Sequence, residues 1–143
     1  MSQDKLFTLA EANALIPQIE LIMERMQRLS MKVREEIETL ARERGEQMLA
    51  ELSMSQMLRL KPSLRLIFEE LVQAVQDIEK HGCAFKGLEL GLVDFPAQLS
   101  GEEVVELCWQ YGEKEIAFYH RRNEGFAGRQ ALHPQQRKPQ YYQ

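Results

Sequence analysis

Two cysteines, three histidines and one tryptophan are all that 143 residues supply of the side chains most often used in metal and thiol chemistry. Cys83 and Cys108 stand far apart, with no C-x-x-C spacing, which excludes a zinc-ribbon motif and a disulfide framework and fits a reducing cytoplasm. His81, His120 and His133 offer no pair at helical spacing, so the H-E-x-x-H type of metal helix is absent. Basic charge is not in excess: 18 Lys and Arg face 22 Asp and Glu, for a net charge of −4, and no nucleic-acid partner is expected. No apolar run is long enough to span a bilayer, and no basic segment followed by an apolar one opens the chain, so no membrane association is expected. Glycine is scarce before Gly82, and seven of the eight lie from that residue onward.

What is present begins with helical periodicity. Thr8-Leu9-Ala10-Glu11 is a capping box. Beyond it Ile19, Ile22, Met26, Leu29, Val33, Ile37 and Leu40 recur at three- and four-residue steps, a long amphipathic helix with a coiled-coil-like seam that weakens at Gly45. Pro17 removes one backbone donor inside it and predicts a kink. Glu46 to Lys61 is helix-compatible but poorly periodic. After Pro62 a second seam, Leu64, Ile67, Leu71, Ala74 and Ile78, runs to the stop signal Lys80-His81-Gly82. Two such helices fold back most simply as an antiparallel pair.

From Gly82 the period changes to two. Val105, Leu107, Trp109 and Tyr111 alternate with Glu106, Cys108 and Gln110, and Ile116, Phe118 and His120 alternate with Ala117, Tyr119 and Arg121. A two-residue turn at Glu113-Lys114 would pair Trp109 with Phe118, Leu107 with His120 and Cys108 with Tyr119. In that register Cys108 and His120 point to opposite faces, and a thiol–imidazole dyad is excluded. Gly91 to Ala97 reads as a further strand, at an edge or a strand end because Pro96 donates no hydrogen bond, and Cys83 to Leu88 as another. After Arg129 the chain is polar and proline-broken.

Phe7-Thr-Leu-Ala-Glu-Ala-Asn-Ala-Leu-Ile-Pro17, Gly91-Leu-Val-Asp-Phe-Pro-Ala97, Leu107-Cys-Trp109, Gly112-Glu113, Ile116 to His120 and Gly125-Phe-Ala-Gly-Arg129 together resemble a family of small prokaryotic proteins known only as domain of unknown function 2203. The resemblance runs from about Phe7 to Leu132. It implies a shared fold and carries no activity or catalytic residue with it. Where the family often has acidic residues after the histidine, Arg121 and Arg122 follow His120, which argues against a metal site on that turn.

Two site chemistries remain. Gly125 and Gly128 beside Arg129, with His120, Asp94 and Glu113, can form a pocket for a small anion, since turned amides and a guanidinium suit a carboxylate or phosphate. The same arginine can instead be a strut paired with Asp94 or Glu113. A metal would draw on His120, Asp94 and Glu124, a set with one ring nitrogen and no helical pair, so neither metal nor cofactor is expected.

The sequence therefore predicts one α+β domain over residues 1–132, with a helical part at 8–81 and a β part at 83–129. An antiparallel hairpin of two long helices packs on a three- or four-stranded antiparallel meander, and 133–143 form a flexible tail. The expected role is a non-catalytic cytoplasmic binding or interaction module, with a homodimer through the helical layer because its seam outruns a small sheet. The alternative is a small enzyme or a metal- or anion-binding protein using Asp94, His120 and Arg129.

Overall fold

The computed structural model describes residues 5–99 and 103–133. The expected tail lies outside the described residues except for His133. The described residues form four α-helices, α1 (Leu9–Arg44), α2 (Glu46–Ala50), α3 (Met54–Leu60) and α4 (Pro62–Glu79), and five strands. The strands are β1 (Ala84–Gly87), β2 (Leu92–Gln98), β3 (Val104–Gln110), β4 (Phe118–Arg121) and β5 (Gln130–Ala131). This is the expected α+β class, with a meander one strand larger than predicted: all neighbours are antiparallel, in the order β1-β2-β3-β4-β5. No helix among the described residues is long and apolar enough to cross a membrane.

Two compact units are present, and their boundary falls inside α1 and α4. The first holds the residues up to Met23 together with those from Asp77 onward; the second is Glu24–Gln76.

In the second unit α1 and α4 run antiparallel. Arg25 reaches Glu70 at 3.2 Å and Lys61 reaches Glu36 at 3.0 Å, so rising numbers on one helix meet falling numbers on the other. Leu29, Leu40, Leu64, Ile67 and Ala74 of the two seams are buried. The exposed Arg25–Glu70 pair adds little by comparison, because screening and side-chain entropy offset its attraction, while Lys61–Glu36 is half-buried. α1 stops where Gly45 takes φ +90°. The poorly periodic segment after it folds as α2 and α3, and α3 opens on a capping box that the sequence reading missed: Ser53 Oγ accepts from Gln56 N at 3.2 Å, and Gln56 Oε1 from Ser53 N at 2.8 Å.

In the first unit the capping box at Thr8 forms as its spacing predicts, with Glu11 Oε1 accepting from Thr8 N at 2.9 Å and Thr8 Oγ1 from Glu11 N at 3.0 Å. The Thr8 backbone bond holds the Glu11 carboxyl below the usual range. Leu9, Ala12, Ile16, Ile19 and Met23 of α1 are buried, as are Val93, Phe95, Ala97, Val105, Leu107 and Trp109 of the sheet. These sheet residues are cross-strand partners (Val93 with Trp109, Phe95 with Leu107, Ala97 with Val105), so they share one apolar face. Phe7 closes its edge, ring-on-edge against Phe95 at 5.3 Å. Its amide donates to the carbonyl of Pro96 at 2.7 Å. β2 is an interior strand, not an edge. Pro96 is tolerated because β1 pairs only as far as Asp94, leaving Phe7 beside the proline.

The β3–β4 register differs from the expected one by a residue. Val105 pairs with Arg121, Glu106 with His120, Leu107 with Tyr119 and Cys108 with Phe118. The cause is the loop. Ile116 and Ala117 precede β4 and do not extend it, and the Ile116 amide donates to Asn13 Oδ1 on α1 at 2.8 Å. Ile116 reaches the core from this loop, fully buried, so its apolar character says nothing about which way β4 faces. Gly91, at φ +67° before β2, is held for a second reason: an added Cβ would stand 2.7 Å from the Cβ of Tyr111.

Trp109 is completely buried, and its Nε1 donates to Glu113 O at 2.9 Å. Trp109→Ala is expected to lower the unfolding free energy by about 3–5 kcal/mol in urea denaturation. A loss below about 1 kcal/mol, typical of exposed positions, would contradict its place in the core.

Candidate functional site

The residues between those of the apolar face stand on the other side of the sheet, and the register gathers them in rungs. One rung runs Ala84, Asp94, Cys108, Phe118 and Ala131 across all five strands. The next runs Pro96, Glu106 and His120. Asp94 thus faces Cys108 directly, and His120 stands one rung along on the far side of β3.

Burial here is unusual for such groups: Asp94 is 3% exposed, His120 4% and Cys108 1%. Buried polar groups are tolerated only when hydrogen-bonded, and these are. His120 Nε2 lies 2.9 Å from Asp94 Oδ2, and Nδ1 lies 2.8 Å from the carbonyl oxygen of Arg121. A carbonyl only accepts, so Nδ1 carries hydrogen, and Nε2 meets the carboxylate across one shared proton. An Asp94 carboxylate oxygen, the Cys108 Sγ and a His120 ring nitrogen all lie within 4.8 Å of one another.

The expected separation of Cys108 from His120 onto opposite faces is therefore overturned: the shifted register brings them to the same side. A thiol nucleophile still gains nothing from it. Burial pushes the Cys108 thiol up to about 11, the Asp94 charge adds to that, and the Arg129 guanidinium opposes it. Burial likewise pushes Cys83 up to about 11, and its Sγ donates to Ile78 O at 3.3 Å. Both thiols stay protonated at neutral pH, and the thiolate is the reactive form. Burial also raises the Glu106 carboxyl above its ordinary value, opposed by Arg122, whose Nε lies 2.9 Å away.

A cavity of about 690 Å³ opens over this face. Lys86, Asp94, Glu106, Cys108 and His120 line it from the strands, Glu79 and Cys83 from the end of α4 and the turn after it, and Arg122, Glu124 and Phe126 from the loop after β4. Among the described residues, its ionisable lining holds four carboxylates (Glu79, Asp94, Glu106, Glu124) and two basic side chains (Lys86, Arg122), besides His120 and the thiols of Cys83 and Cys108.

The residues of this site lie within a matched family. The family model described as "Uncharacterized conserved protein (DUF2203)" matches residues 5–132. The chain belongs to that family. Among curated proteins and among solved structures none matches it.

Of the residues singled out from sequence, Asp94 and His120 come together in the cavity, and Gly125 and Glu124 also line it. Arg129, Glu113 and Gly128 are not among its lining. Arg129 Nη2 pairs with Glu113 Oε1 and donates to Cys108 O at 3.1 Å, and the guanidinium lies 4.1 Å from the Phe118 ring centre and 5.2 Å from that of Phe126. Among the described residues, its Nε is the one buried side-chain nitrogen or oxygen without a hydrogen-bond partner. Gly128 is held by space: an added Cβ would stand 2.8 Å from that of Glu124. Gly125 is extended at φ −113° with open space around it, so neither demand applies there. Glu106 is a site residue that sequence reasoning missed, and Cys108 is one that it weighed and set aside. Their side of β3 was legible in the alternation; the parity of β4 was not.

Arg129 has the contacts of a strut. Arg129→Ala strands Glu113 and removes both ring contacts, and is expected to cost about 3 kcal/mol in denaturation. Arg129→Lys should recover only part, since an ammonium lacks the planar fork. A loss below about 1 kcal/mol would show that the contacts carry no stability.

Proposed function

We propose that this chain is a non-catalytic binding protein and that its ligand is a small cation taken up in the cavity over β2, β3 and β4. The observation that carries this reading is the buried Asp94–His120 pair, with Oδ2 and Nε2 at 2.9 Å, in a cavity whose lining carries more carboxylates than basic side chains. Two charged or polar side chains this deeply buried are a costly feature for a surface that only needs to fold. Beyond Asp94, whose charge the proton shared with His120 offsets, Glu79, Glu106 and Glu124 outnumber Lys86 and Arg122, which favours a cation over the small anion that Gly125 to Arg129 suggests, and Arg129 is already tied to Glu113. The protonated thiols support binding without nucleophilic chemistry. Two unpaired cysteines support a reducing, cytoplasmic setting.

The test is a melting series with small cations (alkyl diamines, divalent metals) against small anions at matched ionic strength. At least one cation is expected to raise Tm by several degrees near 100 Kd, by mass action on the folded state. Asp94→Asn is expected to abolish the shift. Stabilisation by anions alone, or a shift unchanged in Asp94→Asn, would reject the reading.

A second reading rests on α4. Phe68 and Val72, four residues apart and so on one helix face, are each 42% exposed. We propose this ridge as the contact of a homodimer through the helices. Light scattering is expected to give twice the chain mass, reverting to the chain mass in Phe68→Glu; a monomer at high concentration would reject it.

A further inference from the structure

We infer that Asp94, Cys108 and His120 form a three-ligand site for a divalent ion of the zinc class, with its remaining coordination position open to the cavity. This rests on the cation-binding reading and names the cation. The donors are an oxygen, a sulfur and an imidazole nitrogen within 4.8 Å of one another, all from buried residues. Zinc holds such atoms at about 2.0–2.3 Å in a tetrahedron, which places the donors about 3.4–3.7 Å apart. Asp94 Oδ2 and His120 Nε2, now at 2.9 Å, need only part slightly to admit an ion between them.

The surroundings of the three donors match what such an ion requires. His120 already has the orientation of a ligand: Nδ1–H donates to the Arg121 carbonyl at 2.8 Å, turning Nε2 inward. Metal-binding imidazoles are commonly fixed by this kind of bond to a backbone carbonyl. The three residues stand on three adjacent strands of one sheet, two of them direct cross-strand partners, so the set is held by backbone pairing and not by a loop. Coordination exchanges two protons, the Cys108 thiol hydrogen and the one shared by His120 and Asp94, for one dication. The buried charge is therefore unchanged, and the sulfur is deprotonated by the ion itself. Three protein ligands on the lining of a cavity of about 690 Å³ leave one position for water or a small metal-binding molecule. A thiolate with an imidazole selects zinc, cobalt or nickel over magnesium and calcium, which prefer oxygen alone. No helical spacing or paired-cysteine motif announces the site, because its ligands lie on separate strands.

The experiment uses the full chain, stripped with EDTA and titrated with Co²⁺ as a spectroscopic probe for zinc. Expected are one equivalent per chain, visible bands of tetrahedral intensity, a near-ultraviolet thiolate-to-cobalt band, and displacement by Zn²⁺ but not by Mg²⁺ or Ca²⁺. Cys108→Ser should abolish the thiolate band, while Cys83→Ser, which alters the other cavity thiol, should leave it intact. His120→Ala and Asp94→Asn should each weaken binding more than the roughly 10–100-fold that loss of an outer partner brings. Asp94→Asn keeps the side chain's shape and so reports even if His120→Ala fails to fold. A missing thiolate band, one that survives Cys108→Ser, one lost in Cys83→Ser, or binding indifferent to Asp94→Asn would overturn the site. If cobalt fails while an organic cation still raises Tm in an Asp94-dependent way, this inference falls and the cation-binding reading stands; if both fail, both fall.

Discussion

Four hydrogen bonds converge on Glu113, and through them the loop between β3 and β4 sets the register on which both faces of the sheet depend. Its amide donates to Gln110 O at 3.0 Å, its carbonyl accepts from Trp109 Nε1 at 2.9 Å, and its carboxylate accepts from Gln110 N at 2.7 Å and from Arg129. A slip of one residue would turn every side chain of β4 to the opposite face. His120 would then leave Asp94 and enter the apolar core, unpaired. The knot at Glu113, the bond from Ile116 N to Asn13 and the buried ring of Trp109 all act against that slip.

Once the register is set, the two faces separate by chemistry. One carries only apolar side chains from β2 and β3 and is buried with the start of α1. The other carries Asp94, Glu106, Cys108 and His120, half-buried or buried, beneath the loop that follows β4. Arg129 links the two ends of that loop system, since it touches the Cys108 carbonyl, the Glu113 carboxylate and the rings of Phe118 and Phe126. Its side chain is not part of the cavity lining, although its charge is felt there at Cys108.

The unit from Glu24 to Gln76 obeys simpler rules. Both seams contribute buried residues, Leu29 and Leu40 from the first and Leu64, Ile67 and Ala74 from the second. Off the seam, α4 leaves Leu66, Phe68 and Val72 exposed.

The sequence by itself determined the elements whose signals are local. The Thr8–Glu11 box, the weakening of the first helix at Gly45, the seam from Leu64 to Ile78, the strand at Gly91 to Ala97 and the sides of β3 are each written in a few neighbouring residues, through capping geometry, left-handed backbone or side-chain period. Asp94 and His120 were legible as polar residues in apolar strands. Only the tertiary structure decided that Cys108 joins them and that Arg129 and Glu113 do not. Alternation fixes side chains within a strand, but the phase between two strands is a property of the loop that joins them. Here that loop is held by Asn13, about a hundred residues away in the chain, through a bond that no local pattern announces.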